Sequence, residues 1–385
     1  MDAWRTIDDR LNAWFAAPTH SAGAALLPRI VAMAGRVVDV DVRAGGVRVR
    51  LDREDASLAP AISAAADDLG LSPAPASLQA LRVVLETPDP DRAAPFWALA
   101  LGYDRDRAVL RDPWRRDLPL VLEHDREARP LRDRIHVDVV RPAAAIQTIV
   151  DALGPASGPY GLRHADPDGI EVDAVPGEPL AGAEDWWTLF AAVARYATTT
   201  EQTVALAERA AGLADEADER LGIDVRPGSV TLDGGKDAWE DDAGARPAFV
   251  ALAAAIQRAA HDLGAASLPA DLRFVQLGFD AVDVAGSRAI WRAVLAAERD
   301  PREHVTDLVD PLGLGHVLFV QDMDAHEAER RAQRPRVRVE VLVPADALEA
   351  RLDAVVAAGG RVLEQRDGRA TIADADGAIA VVVAG

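Results

Sequence analysis

The sequence predicts an α+β protein organised as a duplicated two-domain unit. The first observation is an internal echo. "LAPAISAAADDLG" (Leu58 to Gly70) and "LAAAIQRAAHDLG" (Leu252 to Gly264) agree at nine of thirteen places. The second is that the same offset of 194 residues aligns Pro75 with Pro269, Leu78 with Leu272, Asp89 with Asp283 and Trp97 with Trp291. A period of that size is too long for a solenoid and implies two copies of a larger unit. The third is that short β-branched strands alternate with Ala-rich amphipathic helices inside each copy.

The first part of copy one is read as opening with a helix, because Leu26 to Ala34 places apolar residues at helical spacing. Strands "VDVDVR" and "GVRVRL" follow, joined through Gly45-Gly46, a hairpin signal. The echoed stretch is then an amphipathic helix with Gly70 at its C-cap. The second part runs strand "LRVVLET" (Leu81 to Thr87), helix "DRAAPFWALALG", and strands near Arg107 to Arg111 and Leu118 to His124. Strand "RIHVDVV" (Arg134 to Val140), helix "PAAAIQTIVDALG" and strands ending in "IEVDAV" repeat that β-α-β-β order. In copy two, "DVRPGSVTL" (Asp224 to Leu232) matches "DVRAGGVRVRL" (Asp41 to Leu51) at offset 183, so about eleven extra residues fall in the acidic loop Gly234 to Gly244. "RVRVEVL" (Arg336 to Leu342) faces "RIHVDVV", and "DADGAIAVVV" (Asp374 to Val383) faces "DPDGIEVDAV" (Asp166 to Val175). Four domains are expected, at 1–77, 78–178, 185–268 and 270–385, with the joint between copies near Pro176 to Asp185. Trp97 and Trp291 are expected as core anchors, and Trp186 and Trp187 as the opening of a helix in copy two.

Composition narrows the function classes. Apolar residues make up 49% of the 385, enough for packed cores. There are no cysteines, which removes disulfides, thiolate metal sites and cysteine nucleophiles together and fits a reducing cytoplasm. The N-terminal stretch has neither the basic start nor the apolar run of a secretory signal. A net charge of −21 disfavours phosphate-rich partners and anionic membranes. Lys236 is the only lysine, so Schiff-base chemistry has one candidate. The expectation is a cytoplasmic monomer or homodimer that takes a small-molecule ligand, with no nucleic acid and no membrane.

The residues "DPDRAAPFWALALG", "RIHVDVV" and "DPDGIEVDAV" resemble the glyoxalase-like branch of the vicinal oxygen chelate superfamily. That resemblance implies paired βαβββ modules curved into a cup, with a metal and a substrate bearing adjacent oxygens inside it. The stretch from Leu26 to Ala66 resembles pterin-4a-carbinolamine dehydratase, a small α+β fold, and the fusion fits a bacterial arrangement. The dehydratase motif His-His-Pro is replaced by Arg36-Val37-Val38 in copy one and by Glu219-Arg220-Leu221 in copy two. Dehydration needs a positioned proton donor and acceptor, so both dehydratase-like domains read as degenerate.

The chelate family draws its ligands from the first and last strands of each module. The resemblance therefore places His136 and Asp173 at ligand positions, with Glu171 on the same strand face as Asp173. Arg82 and one of Leu122, Glu123 or His124 occupy the other two positions of copy one. Copy two offers Gln276, Phe319, Arg338 and Val381, and its cup is expected to be metal-free. Three readings of the first cup stand side by side. His136, Asp173 and Glu123 could ligate a divalent metal, since imidazole and carboxylate suit Zn, Fe, Mn or Ni. Arg82 could anchor an anion with His136 as acid or base and no metal. The same residues could also form a satisfied polar cluster in a non-catalytic binding protein. Catalysis would be of the lyase, isomerase or dioxygenase type, and residual carbinolamine dehydration is a further alternative. The "DPDG" and "DADG" segments read as hairpin turns, not calcium loops, because the alternating ligand set is missing. His164 reads as a loop residue.

Overall fold

Asp8 and Asp9 both adopt positive φ, 50° and 61°, and so form a two-residue turn whose twist suits an antiparallel hairpin. They join Trp4–Ile7 to Arg10–Ala16, and two strands therefore precede the helix Leu26–Ala34 that sequence analysis had placed first. The hairpin is masked in the sequence because "WRTIDDRLNAWFA" lacks clean alternation and Asp-Asp is a weaker turn signal than Asn-Gly. The computed structural model describes residues 3–303, 305–314 and 317–385, so Met1 and Asp2 of the opening segment lie outside it.

The four segments marked off in the sequence fall into two units. One holds the chain up to Leu78, Arg141–Ala144 and Pro176–Leu272. The other holds Gln79–Val140, Ala145–Val175 and Arg273–Gly385.

In the first unit the hairpin strands Asp39–Arg43 and Gly46–Leu51 are joined to Gly222–Arg226 and Ser229–Lys236 through an antiparallel pairing of Val40 with Val225 and Val42 with Ile223. Strand alternation sends Val40, Val42, Val47, Val49, Ile223 and Val225 into one core with Ile30, Ile62, Leu206 and Ile256 from the helices. The opposite face is ionic. Arg226 Nη2 lies 2.6 Å and Arg48 Nε 2.7 Å from Asp41, and Arg43 Nη2 lies 2.6 Å from Asp224. Burial pushes the Asp41 carboxyl up, but Arg226, Arg48 and Arg50 outweigh it and hold it well below the usual carboxylate range. Trp186 and Trp187 do not open a helix. They lie in the strand Ala183–Leu189, where buried Trp186 meets Phe249 edge-on at 5.8 Å, and the helix begins later at Thr200–Ala217.

The second unit contains two sheets. In one, Ala80–Thr87 pairs antiparallel with Val337–Val343, and Leu120–His124 and Ile379–Ala384 flank that pair in parallel. In the other, Ile135–Pro142 pairs antiparallel with Phe274–Ala281, flanked by Val317–Asp322 in parallel and by Glu171–Leu180. Each central pair thus joins a strand from the first half of the chain to a strand from the second. This corrects the expectation that Arg82, Glu123, His136 and Asp173 share one cup. An unpaired first strand is satisfied equally by either partner, so the sequence alone cannot choose between pairing within a half and pairing across halves.

Helices Pro90–Leu101 and Val284–Leu295 each insert a tryptophan into the core of this unit. Trp97 Nε1 donates to Asp166 Oδ2 at 3.0 Å, and Trp291 Nε1 donates to Asp374 Oδ2 at 3.0 Å. The other carboxylate oxygens close the "DPDG" and "DADG" turns. Asp166 Oδ1 accepts from the amides of Asp168 and Ile170, and Asp374 Oδ1 from those of Asp376 and Ala378. Both turns are therefore locked to the core by an indole. Among the described residues no helix is long and apolar enough to cross a membrane.

Trp97→Phe keeps an apolar ring but strips Asp166 of its buried donor. A loss of about 1–3 kcal/mol is expected for this variant and for Trp291→Phe, measured by urea unfolding. Wild-type stability in both would show that the indole donors are idle.

Candidate metal centre

His136 and Asp138 stand two residues apart on one strand, so their side chains share a face. Directly opposite on the partner strand sit Gly278 and Gln276. Gly278 is required by the imidazole itself. A Cβ there would lie 2.2 Å from His136 Cε1 and 2.6 Å from Phe319 Cζ. The ring of Phe319 meets His136 edge-on, with centroids 5.8 Å apart. Gln276 Nε2 donates to Asp138 Oδ2 at 2.8 Å and fixes that carboxylate. Asp173, on the neighbouring strand, completes the group, and one ligand atom from each of His136, Asp138 and Asp173 lies within 4.8 Å of the others. His136 Nε2 is 3.4 Å from Asp138 Oδ1.

The donor set fits a divalent first-row ion. Ligands held about 2.1 Å from a tetrahedral metal are separated by roughly 3.4 Å. One imidazole and two carboxylates also suit the borderline and harder members of that series. Phe319 closes one side of the group, at a position where the resemblance leads one to look for a fourth donor.

Of the five residues singled out in the sequence, His136 and Asp173 come together here. Glu171 shares their sheet but is held by Arg132, with Nε 2.7 Å from Oε2, and by Arg163, with Nη1 3.1 Å from Oε1. Arg82 and Glu123 lie on the other sheet, so neither can serve His136 as anion anchor or co-ligand. Arg82 grips Glu340 through Nη2 at 2.5 Å and Nε at 2.6 Å, while Glu123 receives Arg338 Nη2 at 2.6 Å. Burial pushes the Glu340 carboxyl up, but Arg82 and Arg369 hold it below the usual range. One face of that sheet thus carries interlocked guanidinium–carboxylate pairs. Gln276 and Phe319, assigned from the sequence to a separate second cup, belong with His136.

Asp138 was missed by sequence reasoning. Its signal was the His-x-Asp alternation within "RIHVDVV", which puts two ligand types on one face. His164 is not a loop residue. It is buried in the strand Arg163–Ala165 opposite Val172, and burial pushes its pKa down against the pull of Asp173.

A family model described as a glyoxalase-like domain matches residues 82–175 and 276–383, together over half of the chain. No curated protein matches. Among solved structures, glyoxalase I from Zea mays is similar at 13% identity and TM-score 0.37, over 80% of this chain and 93% of that one. A putative dioxygenase from Bacillus subtilis subsp. subtilis str. 168 is similar at 11% identity and TM-score 0.37, over 79% and 84%. A mutant of the fosfomycin resistance protein FosX from Listeria monocytogenes, complexed with Mn(II) and a dihydroxypropylphosphonic acid, matches 28% of this chain and 86% of that one at 13% identity and TM-score 0.23.

Two outcomes follow from the geometry. Glu340→Gln removes the buried carboxylate that Arg82, Arg338 and Arg369 share, for a loss of roughly 1–3 kcal/mol near neutral pH. The Glu340 pKa is lower in the folded protein than in the unfolded chain. Its contribution is therefore complete above the unfolded value of 4.5 and is lost as pH falls through the folded value. The stability gap between wild type and variant should narrow below that point in pH-dependent unfolding, and a gap that widens there would contradict the assignment. Gly278→Ala should displace the imidazole, seen as a shift of the His136 ring resonances that Gly212→Ala, at a helical site with open space, does not cause.

Proposed function

The chain belongs to the glyoxalase-like domain family, and on that premise we propose that it is a metal-dependent protein acting on a small polar metabolite in the cup lined by His136, Asp138 and Asp173. The observation that carries this reading is the convergence of one imidazole and two carboxylates from two adjacent strands. Arg82, which would place a cation at the same spot if it shared that cup, stands on the other sheet paired with Glu340. A bound divalent ion would polarise a ligand oxygen, the chemistry expected of an isomerase, lyase or dioxygenase of this family. The chain's own residues bind and orient. His136 is held between Gly278 and Phe319, and Gln276 turns Asp138. Asp138 is buried and Asp173 half-buried beside His136, and carboxylates so placed are costly without a cation or a proton, which favours an ion over an inert polar cluster.

We read the chain as a tandem duplication with four modules, 1–77, 78–178, 185–268 and 270–385. The matched Trp97–Asp166 and Trp291–Asp374 bonds support it. The dehydratase-like segments are read as scaffolds, since Arg36-Val37-Val38 and Glu219-Arg220-Leu221 supply no imidazole at the motif. No acceleration of 4a-hydroxytetrahydropterin dehydration above background is expected in a stopped-flow assay.

Titration of the full chain with Mn(II), followed by electron paramagnetic resonance, tests the metal reading. Loss of a ligand in His136→Ala or Asp173→Ala should weaken binding at least about tenfold, the equivalent of about 1.4 kcal/mol, while Arg338→Ala should leave it unchanged. Undiminished Mn(II) affinity in His136→Ala would sink the proposal.

A further inference from the structure

We propose that the strand Arg361–Arg366 is a self-association edge, at which a second copy of this chain adds its own Arg361–Arg366 antiparallel. The proposal is independent of the metal reading. This strand is the outermost of the sheet that holds Arg82 and Glu340, and it pairs with Arg369–Ala373 on one side. Among the described residues no strand meets its other side. An open edge presents a row of unpaired amides and carbonyls that template another strand. Arg361–Arg366 offers six residues, whereas Asp104–Asp106 at the far edge of the same sheet offers three and Glu298–Arg299 in the other sheet offers two. In the first half of the chain, the stretch between helix Ala143–Leu153 and strand Arg163–Ala165 carries Pro155, Gly158 and Pro159 and forms the isolated bridge Ser157–Arg163. Proline cannot donate to a ladder, so that edge is closed where Arg361–Arg366 lies open.

The side chains of the edge define what fits it. Leu363 is 54% exposed, and Val356, on the helix Leu348–Ala357 beside the strand, is 57% exposed. Arg361 has no ion-pair partner among the described residues. Glu364 meets Arg366 at 3.3 Å in open solvent, a contact worth little. When two copies pair antiparallel about a two-fold axis, Arg361 falls opposite Glu364 of the second copy and Val362 opposite its Leu363. Each charge then meets its opposite, and the aliphatic side chains meet each other. The bulge between Val362 and Glu364 and the exposed arginines are devices that turn unrelated strands away. A strand with the matching acid at the matching place is admitted, and this chain's own edge is such a strand.

Sedimentation equilibrium of the full chain up to about 100 µM, the range in which small interfaces assemble, should show monomer and dimer together. The amides of 361–366 should exchange more slowly with deuterium as concentration rises. Arg361→Glu and Glu364→Arg should each weaken dimerisation at least about tenfold, because each sets like charges opposite one another. Mixed in equal amounts, the two variants again place every acid opposite a base and should pair with each other at wild-type strength. A chain that stays monomeric throughout would overturn the proposal and leave the edge to a strand of other chemistry. A dimer indifferent to both variants, or variants that do not recover on mixing, would overturn it by placing the contact elsewhere.

Discussion

The antiparallel pairing of Ile135–Pro142 with Phe274–Ala281 governs what the candidate site can be. Its register sets His136 against Gly278 and Asp138 against Gln276. A slip of one residue would turn every one of these side chains to the opposite face. The same pairing leaves room for the imidazole over a glycine, supplies the amide that orients Asp138, and brings Phe319 against His136 through the next strand. Backbone hydrogen bonding, not any attraction between the site residues, therefore assembles the donor group.

The two sheets of the second unit use one architecture for opposite electrostatic ends. Around His136 two carboxylates gather beside an imidazole, a donor set that a divalent ion would complete under the proposed reading. Around Arg82 the guanidiniums and carboxylates cancel within the protein. A buried charge must be compensated somehow, and the Arg82 sheet does so with its own guanidiniums. That contrast explains why residues at matching places in the sequence, such as Arg82 and Gln276, behave so differently.

Much of the fold was legible. Leu26–Ala34, Asp39–Arg43, Gly46–Leu51 and Ala80–Thr87 follow from periodicity and glycine turns, and the indole anchors follow from the repeat. The N-terminal hairpin was not, because Asp8 and Asp9 adopt positive φ without the usual glycine. Trp186 was misplaced because aromatic residues suit strands and helix cores alike. For the candidate site, His136 and Asp173 could be found from position along their strands. Asp138 could be found only by asking which residues share a face. The separation of Arg82 and Glu123 from His136 could not be found, since strand partners far apart in sequence leave no local trace.

The distance between those partners bears on how the chain reaches its native state. Asp138 meets Gln276 across 138 residues, and Arg82 meets Glu340 across 258. Contacts this remote cost loop-closure entropy before they return anything, and they slow folding. During synthesis the strands Ala80–Thr87 and Ile135–Pro142 emerge long before their mates. The nascent first half consequently carries two open edges, each able to pair with another chain's exposed strand. A ribosome that stalls before Phe274 would release a chain with no route to either sheet.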